Sequence, residues 1–176
     1  SLEDINGDGY TDILLARYGL YALLNDGDGT FGTMVSYSGT GKSTLGQRID
    51  MADMDNDGDL DAVLSATSQY TSQRLQVVYN TGNGEFDGNN TFALAGKAVR
   101  DLVARDFDND GWADIAIVDN VNNVVQVFTN NGDGTIDTTA TVSVNSSPTA
   151  LTAADYDGDG DLDIAVYNEY EQYMSV

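Results

Sequence analysis

An acidic motif of nine residues recurs four times along the chain, and this repetition constrains the fold more than any other feature. The copies are DINGDGYTD (4–12), DMDNDGDLD (53–61), DFDNDGWAD (106–114) and DYDGDGDLD (155–163). A period of about 50 residues indicates a repeat architecture, in which each unit buries its apolar face against a neighbouring unit. We therefore expect a single partial domain over residues 1–176, with repeats at approximately 1–40, 41–96, 97–147 and 148–176.

Each copy has the residue pattern of a loop that holds a metal ion through oxygen ligands. Position 1 is Asp, position 3 is Asp or Asn, position 5 is Asp, position 6 is Gly and position 9 is Asp. Alternate side chains of such a loop point inward, the glycine permits a sharp reversal, and the backbone carbonyl of position 7 is available as a ligand. We expect the aspartate at position 9 to close the shell with both oxygens. The predicted ligands are Asp4, Asn6, Asp8, Tyr10 and Asp12; Asp53, Asp55, Asp57, Asp59 and Asp61; Asp106, Asp108, Asp110, Trp112 and Asp114; and Asp155, Asp157, Asp159, Asp161 and Asp163.

The ligand set favours calcium over magnesium. Five protein groups that give about six oxygens, completed by a water, suit Ca²⁺, whereas Mg²⁺ keeps its waters and requires a strict octahedron. We expect up to four Ca²⁺ ions. Asp, Asn and Gly also favour plain turns, but turn preference does not explain four copies with the same five positions filled.

The segments after the loops argue against an EF-hand. An EF-hand requires Glu at position 12 and flanking helices, whereas position 12 here is Leu15, Leu64, Ile117 or Val166. The loops lead into DILLA, DAVLS, DIAIV and DIAVY, which are short apolar runs typical of buried strands.

A second recurring element predicts hairpins. It reads LLNDGDGTF (23–31), VYNTGNGEF (78–86) and FTNNGDGTI (128–136). Each copy ends one apolar strand and begins another, with glycines available for positive φ. Asp26, Asp28 and Asp133 in these turns are interpreted as turn residues rather than ligands. Four antiparallel strands per unit of about 50 residues predict an all-β fold of propeller blades.

Composition excludes several classes of function. The 29 acidic and 7 basic residues give a formal net charge of −22, which disfavours nucleic acids and anionic membranes. No apolar run is long enough for membrane insertion. The absence of Cys and His removes thiol nucleophiles, imidazole bases and thiolate zinc sites. Catalysis would then need a carboxylate pair, Lys, Ser or Tyr, and most clustered carboxylates are assigned to metal.

The two recurring motifs resemble the FG-GAP or VCBS-type repeats of integrin alpha-subunit propellers and of many secreted bacterial proteins. The resemblance implies that each acidic loop joins the first two strands of a blade and holds calcium at the propeller's edge. Phe31-Gly32 is the only Phe-Gly pair and Gly-Ala-Pro is absent, so an integrin-like ligand site is not implied. The length corresponds to about 3.5 blades, which we expect to be part of a seven-bladed propeller.

Two functions are compatible with this resemblance. The favoured one is an extracellular or cell-surface binding or adhesion module, stabilised by calcium, that presents propeller loops to a glycan or a protein; the chain itself is then not an enzyme. The alternative is the propeller portion of a secreted calcium-dependent enzyme that degrades polysaccharides. We also expect self-association to complete the propeller. Tyr18, Tyr21, Tyr70 and Trp112 could stack on sugars, but packing between blades is the favoured interpretation.

Overall fold

The computed structural model describes residues 1–16, 19–37, 44–68, 73–94, 98–169 and 173–175. All regular elements in these ranges are β-strands. Within the same ranges, no helix has the length and apolar character needed to cross a bilayer.

The strands form four sheets that follow one another along the chain. Blade 1 contains β1 (Leu2–Glu3), β2 (Asp12–Ala16), β3 (Leu20–Leu23) and β4 (Val35–Tyr37). Blade 2 contains β5 (Thr44–Ala52), β6 (Asp61–Ser68), β7 (Gln73–Asn80) and β8 (Phe86–Leu94). Blade 3 contains β9 (Val99–Arg105), β10 (Asp114–Asp119), β11 (Val124–Asn130) and β12 (Ile136–Ser143). Blade 4 contains β13 (Pro148–Ala154), β14 (Asp163–Asn168) and β15 (Tyr173–Ser175).

Neighbouring strands in every sheet are antiparallel and consecutive in sequence. This arrangement confirms the predicted all-β fold of four-stranded blades. Each acidic loop joins the first strand of a blade to the second, and each Asn-Gly turn joins the third strand to the fourth. The fourth blade has three strands among the described residues. Closure into a ring of seven blades stays a prediction.

The chain divides into two compact units, Ser1–Leu94 and Ala95–Val176. The core of the first unit joins blades 1 and 2 through one apolar cluster. Blade 1 contributes Leu14 and Leu20, and blade 2 contributes Leu64, Val78 and Phe86. Successive side chains of a strand alternate between the two faces of its sheet, so blades 1 and 2 each present one apolar row to the other.

The core of the second unit is built in the same way from blades 3 and 4. Val118 and Val125 of blade 3 and Val166 of blade 4 are buried together, and Leu151 and Ile164 pack against them. All six residues of β10 are buried, which matches the apolar run that follows the third acidic loop. The residue at position 12 is accordingly buried in blades 2, 3 and 4.

Candidate metal centre

The backbone of all four acidic loops turns through the left-handed region at two positions. The glycine at position 6 has φ between +89° and +99° in every copy, in agreement with the predicted sharp reversal. Position 4 is also left-handed, with φ of +71°, +58°, +60° and +82° at Gly7, Asn56, Asn109 and Gly158. This second left-handed position is not among the predicted features of the motif. The signal was present, because position 4 is Gly or Asn in all four copies, and these residues tolerate positive φ best.

The four acidic loops are numbered in chain order as loop 1 (4–12), loop 2 (53–61), loop 3 (106–114) and loop 4 (155–163). Loops 2 and 3 each leave one buried carboxylate oxygen without a hydrogen-bond partner. At position 1, Asp53 accepts a hydrogen bond from the N–H of Gly58 on Oδ2 (3.0 Å), and Asp106 accepts one from Gly111 on Oδ2 (2.9 Å). The other oxygen, Oδ1, is buried in both residues and has no hydrogen-bond partner among the described residues. A buried anionic oxygen without a hydrogen-bond partner is costly, so Oδ1 of both residues is suited to bind a cation.

Three of the predicted carboxylate ligands lie close together in each of loops 2, 3 and 4. One oxygen each from Asp53, Asp55 and Asp57 lie within 4.8 Å of one another. The same holds for Asp106, Asp108 and Asp114, and for Asp155, Asp157 and Asp163. Three carboxylates at this separation repel one another unless a cation lies between them. The donor set is entirely oxygen, which fits Ca²⁺.

Loops 1 and 4 use the aspartate at position 1 differently. Asp155 accepts N–H groups from Gly158 on Oδ1 (2.7 Å) and from Gly160 on Oδ2 (3.1 Å). Asp4 accepts N–H groups from Asp8 on Oδ1 (3.2 Å) and from Gly9 on Oδ2 (2.8 Å).

The first loop departs further from the other three. The Asn6 side-chain amide donates to Asp8 Oδ2 (2.9 Å), so two of its predicted ligands bond to each other. Because loops 1 and 4 leave no oxygen of the first aspartate unpartnered, loops 2 and 3 fit a cation best.

The aspartate at position 9 is a structural bridge as well as a candidate ligand. Asp61 is fully buried and accepts two backbone N–H groups, from Met54 on Oδ2 (2.9 Å) and from Asn80 on Oδ1 (2.8 Å). The first bond closes the acidic loop, and the second reaches the hairpin turn after β7. Asp12 and Asp114 make the equivalent pair of bonds. Each oxygen already accepts one hydrogen bond, so only its second lone pair is available to an ion.

The asparagine that begins each hairpin turn completes this bridge. Asn80 accepts the N–H of Gly82 on Oδ1 (3.1 Å), and its amide donates to the carbonyls of Ile5 (2.8 Å) and Leu60 (3.2 Å). Asn25 and Asn130 make corresponding bonds. Each accepts a glycine N–H from its own turn. Each also donates its amide to the backbone carbonyl of position 8 of the acidic loop, which is Thr11 in blade 1 and Ala113 in blade 3. All three copies of the hairpin motif carry this Asn, whose predicted role is confined to the turn.

The side chain at position 7 lies against the same turn in the first three blades. A Cβ atom on Gly132 would lie 2.7 Å from Trp112 Cε2, one on Gly82 would lie 2.5 Å from Asp59 Oδ2, and one on Gly27 would lie 2.5 Å from Tyr10 Cε2. Position 7 therefore varies in residue type while keeping its contact. Trp112 packs within its own blade, and Tyr18 and Tyr70 lie outside the described residues.

This contact makes a prediction for Gly132→Ala. The variant should lose about 2–5 kcal/mol of unfolding free energy, since the positive φ of +69° costs about 1–2 kcal/mol and overpacking against the indole costs about 1–3 kcal/mol. Denaturant unfolding measures the loss. In a Trp112→Ala background the same change should cost only the backbone part. An equal cost in both backgrounds would show that the indole is not involved.

Burial raises the pKa of the two position-9 carboxyl groups Asp61 and Asp114. Burial is the main cause that raises the pKa of Asp61 to about 7; the N–H groups of Asn80 and Met54 oppose it, and the carboxylates of Asp55 and Asp57 add to it. The pKa of Asp114 is raised for the same reason, again against two backbone N–H groups. A cation beside these groups would favour their charged forms.

The repeated sequence matches a known family. A family model described as an FG-GAP-like repeat matches residues 4–64 and 106–166. The chain belongs to the FG-GAP-like repeat family. Each matched segment of this FG-GAP-like chain begins at position 1 of one acidic loop and ends at position 12 of the next. A comparison with curated proteins gave no match.

Solved structures share the fold of the FG-GAP-like chain at low sequence identity. An Agrocybe aegerita lectin, described by its specific recognition of non-reducing terminal N-acetylglucosamine, aligns with a TM-score of 0.63 and 23% identity. The alignment covers 94% of this chain and 45% of the lectin. The Photorhabdus luminescens Tc holotoxin pore aligns with a TM-score of 0.57 and 18% identity, over 98% of this chain and 8% of the toxin chain. The chain thus spans less than half the length of either protein.

Proposed function

We propose that this FG-GAP-like chain is the calcium-stabilised part of an extracellular or cell-surface binding module that presents propeller loops to a glycan or a protein. The repeat family and the fold shared with a lectin fit a binding module that is not an enzyme. The single observation that carries calcium dependence is the pair of buried, unpartnered oxygens on Asp53 and Asp106.

The proposed role of calcium is to order the acidic loop that joins the first two strands of a blade. A bound cation would offset the repulsion among the clustered carboxylates and satisfy the buried oxygens. The residues that would hold it in loop 2 are Asp53, Asp55 and Asp57. Asp61 anchors the same loop to the hairpin turn after β7, so ordering of the loop also supports this turn.

A cleft in the first unit offers chemistry suited to a neutral glycan. It lies between β4 and the turn that precedes β8, has a volume of about 380 Å³, and is lined in part by Ser36, Tyr37, Thr81, Glu85 and Asp87. Hydroxyl and carboxylate groups of this kind exchange hydrogen bonds with sugar hydroxyls, and the exposed Val35 supplies apolar surface.

A glycan array run in calcium and in EGTA tests this binding function. We expect retention of neutral glycans in calcium, loss in EGTA, and weaker retention by Glu85→Gln than by the matched surface variant Glu3→Gln. No retention of any glycan in calcium would contradict the glycan proposal and leave a protein as the partner to be sought. Calcium-dependent release of reducing sugar from a polysaccharide would instead support the enzymatic alternative.

We also propose that copies of the chain associate through the face of blade 1 that is opposite to blade 2. Leu15, at position 12, is 45% exposed, whereas its equivalents Leu64, Ile117 and Val166 are at most 2% exposed. In the first unit, Leu64 is covered by Leu14 and Leu20 of the preceding blade. A blade of a second copy can cover Leu15 in the same way, as a heterologous contact.

Sedimentation equilibrium tests this association. We expect dimers or larger species at high concentration, and a shift towards monomer in Leu15→Lys but not in Val121→Lys, a change at an exposed residue of the β10–β11 turn. A monomer at every concentration would contradict the association without affecting the calcium proposal.

A further inference from the structure

The dipeptide Asn-Gly occurs three times in the chain, at 6–7, 83–84 and 131–132. At this dipeptide an asparagine side chain can react with its own backbone, because no Cβ atom shields the glycine nitrogen. The nitrogen attacks the side-chain carbonyl, ammonia is lost, and the cyclic imide that forms is opened by water to a carboxylic acid. The three dipeptides are chemically identical, so their structural surroundings decide which of them reacts.

Asp8 holds the Asn6 side chain in an arrangement that favours this reaction. Asn6 Oδ1 accepts the backbone N–H of Asp8 (3.1 Å), and Asn6 Nδ2 donates to Asp8 Oδ2 (2.9 Å). The first bond stabilises the negative charge that develops on Oδ1 when the carbonyl carbon is attacked. The second increases the electron density on the leaving nitrogen and makes it easier to protonate.

The nitrogen that would attack, that of Gly7, is accessible. Gly7 is exposed, and its N–H makes no hydrogen bond among the described residues. A Cβ atom added at Gly7 would meet no atom within 4 Å. The backbone at Gly7 therefore has room for the rotation that brings its nitrogen onto the side-chain carbon.

The other two Asn-Gly dipeptides are more constrained. The N–H of Gly132 donates to Asn130 Oδ1 (3.1 Å), so its nitrogen is already engaged. Gly84 is buried, and a Cβ atom on it would lie 3.1 Å from Leu24 Cδ2, so packing restricts its movement. Only the dipeptide at 6–7 combines an open glycine with a polarised side-chain amide.

We propose that Asn6 is a self-modification site, at which deamidation converts loop 1 into a loop that requires a cation. The Gly7 nitrogen bonds to Asn6 Cγ and gives its proton to water. The Cγ–Nδ2 bond breaks, and the leaving nitrogen takes up a proton from water and departs as ammonia. Water then adds at either carbonyl of the imide, which leaves aspartate or isoaspartate at residue 6. The isoaspartate product adds one methylene group to the backbone of the loop.

The aspartate product changes the charge balance of loop 1. Before the reaction, the Asn6 amide satisfies Asp8 Oδ2 with a hydrogen bond. After it, two carboxylates face each other without this donor, and they repel unless a cation lies between them. The first six positions of the loop then carry the pattern D-x-D-G-D-G of loop 4. This consequence rests on the proposed calcium function, whereas the reaction at Asn6 does not.

Mass spectrometry of the folded chain, aged at neutral pH in EGTA, tests the reaction. Peptide mapping follows the conversion of amide to acid at each site. We expect Asn6 to be converted about tenfold faster or more than Asn83 and Asn131. In the chain unfolded by urea the three rates should be equal, because the dipeptide is the same. Equal rates in the folded chain, or a slower rate at Asn6, would overturn the proposal.

A pair of variants tests the part played by Asp8. Asp8→Ala removes the carboxylate that accepts the Asn6 amide and should slow the conversion of Asn6. Asp28→Ala, a matched change at an exposed residue of the first hairpin turn, should leave the rate unchanged. An unchanged rate in Asp8→Ala would contradict the assigned arrangement.

Thermal unfolding of Asn6→Asp in EGTA and in calcium tests the consequence for loop 1. We expect calcium to raise the melting temperature of this variant by about 5 °C or more beyond the rise in the parent chain. Asn83→Asp, the same chemical change in a hairpin turn, should show the rise of the parent. A parent without any response to calcium would contradict the proposed function, and the ageing experiment then decides the reaction alone. A responsive parent with no larger response in Asn6→Asp would overturn the conversion of loop 1.

Discussion

Removal of calcium is expected to lower the melting temperature by about 10–20 °C. Extracellular calcium modules bind with Kd near 10⁻⁴ to 10⁻³ M, so about 10 mM calcium reaches about 100 Kd at the tighter end and stabilises each site by about 2.7 kcal/mol. Loops 2 and 3, which carry the unpartnered oxygens, then contribute about 5 kcal/mol together. In a chain of this size each kcal/mol corresponds to about 2–4 °C.

Calorimetric scans of the chain in EGTA and in calcium measure this difference. Magnesium at the same concentration is the control, and it should restore less of the melting temperature because it prefers to keep its waters. Equal melting temperatures in EGTA and calcium would contradict a stabilising role for the ion.

Asp114→Ala is expected to lower the unfolding free energy even without calcium, whereas Asp108→Ala is expected to lower it only in the presence of calcium. Asp114 is fully buried and accepts the N–H groups of Phe107 and Asn130, and its loss leaves a buried donor at Asn130 and a partly buried donor at Phe107 without acceptors. At about 1–3 kcal/mol for each donor, the variant should lose about 2–6 kcal/mol of unfolding free energy even in EGTA. Asp108 is exposed and accepts only the N–H of Asp110, at 3.2 Å, among the bonds described for it.

The Asp108→Ala variant should therefore resemble the parent in EGTA and lose most of the stability that calcium adds at loop 3. Denaturant unfolding of both variants, each with and without calcium, separates the two roles. If Asp114→Ala were as stable as the parent in EGTA, the bridge at position 9 would contribute nothing to the apo fold. If Asp108→Ala kept the full gain from calcium, Asp108 would not be a ligand.

The fold was predictable from the sequence because several local signals agree. Each acidic loop leads into an apolar run such as DIAIV, which forms the buried strand β10, and each Asn-Gly turn separates two strands. Because the acidic loop recurs four times at a period of about 50 residues, the same order of strands is predicted independently for each blade. The short β1 pairs with β2 through two residues and has no sequence signal of its own.

The bridge at position 9 could not be predicted because it depends on contacts distant in sequence. Asp61 looks like one more ligand in the motif, yet its partner Asn80 lies 19 residues further along the chain, at the end of β7. The difference in hydrogen bonding between loops 2 and 4 could not be predicted from the sequence either. Asp53 and Asp155 occupy the same position and have the same side chain, but only Asp53 keeps a buried oxygen without a partner.

The most direct test of calcium binding is a crystal structure of the chain grown in calcium, with anomalous diffraction to locate the ions. We predict peaks at about 2.3–2.6 Å from Asp53 Oδ1 and from Asp106 Oδ1. Loops 2 and 3 without such peaks at saturating calcium, or with these two oxygens accepting protein N–H groups instead, would contradict it.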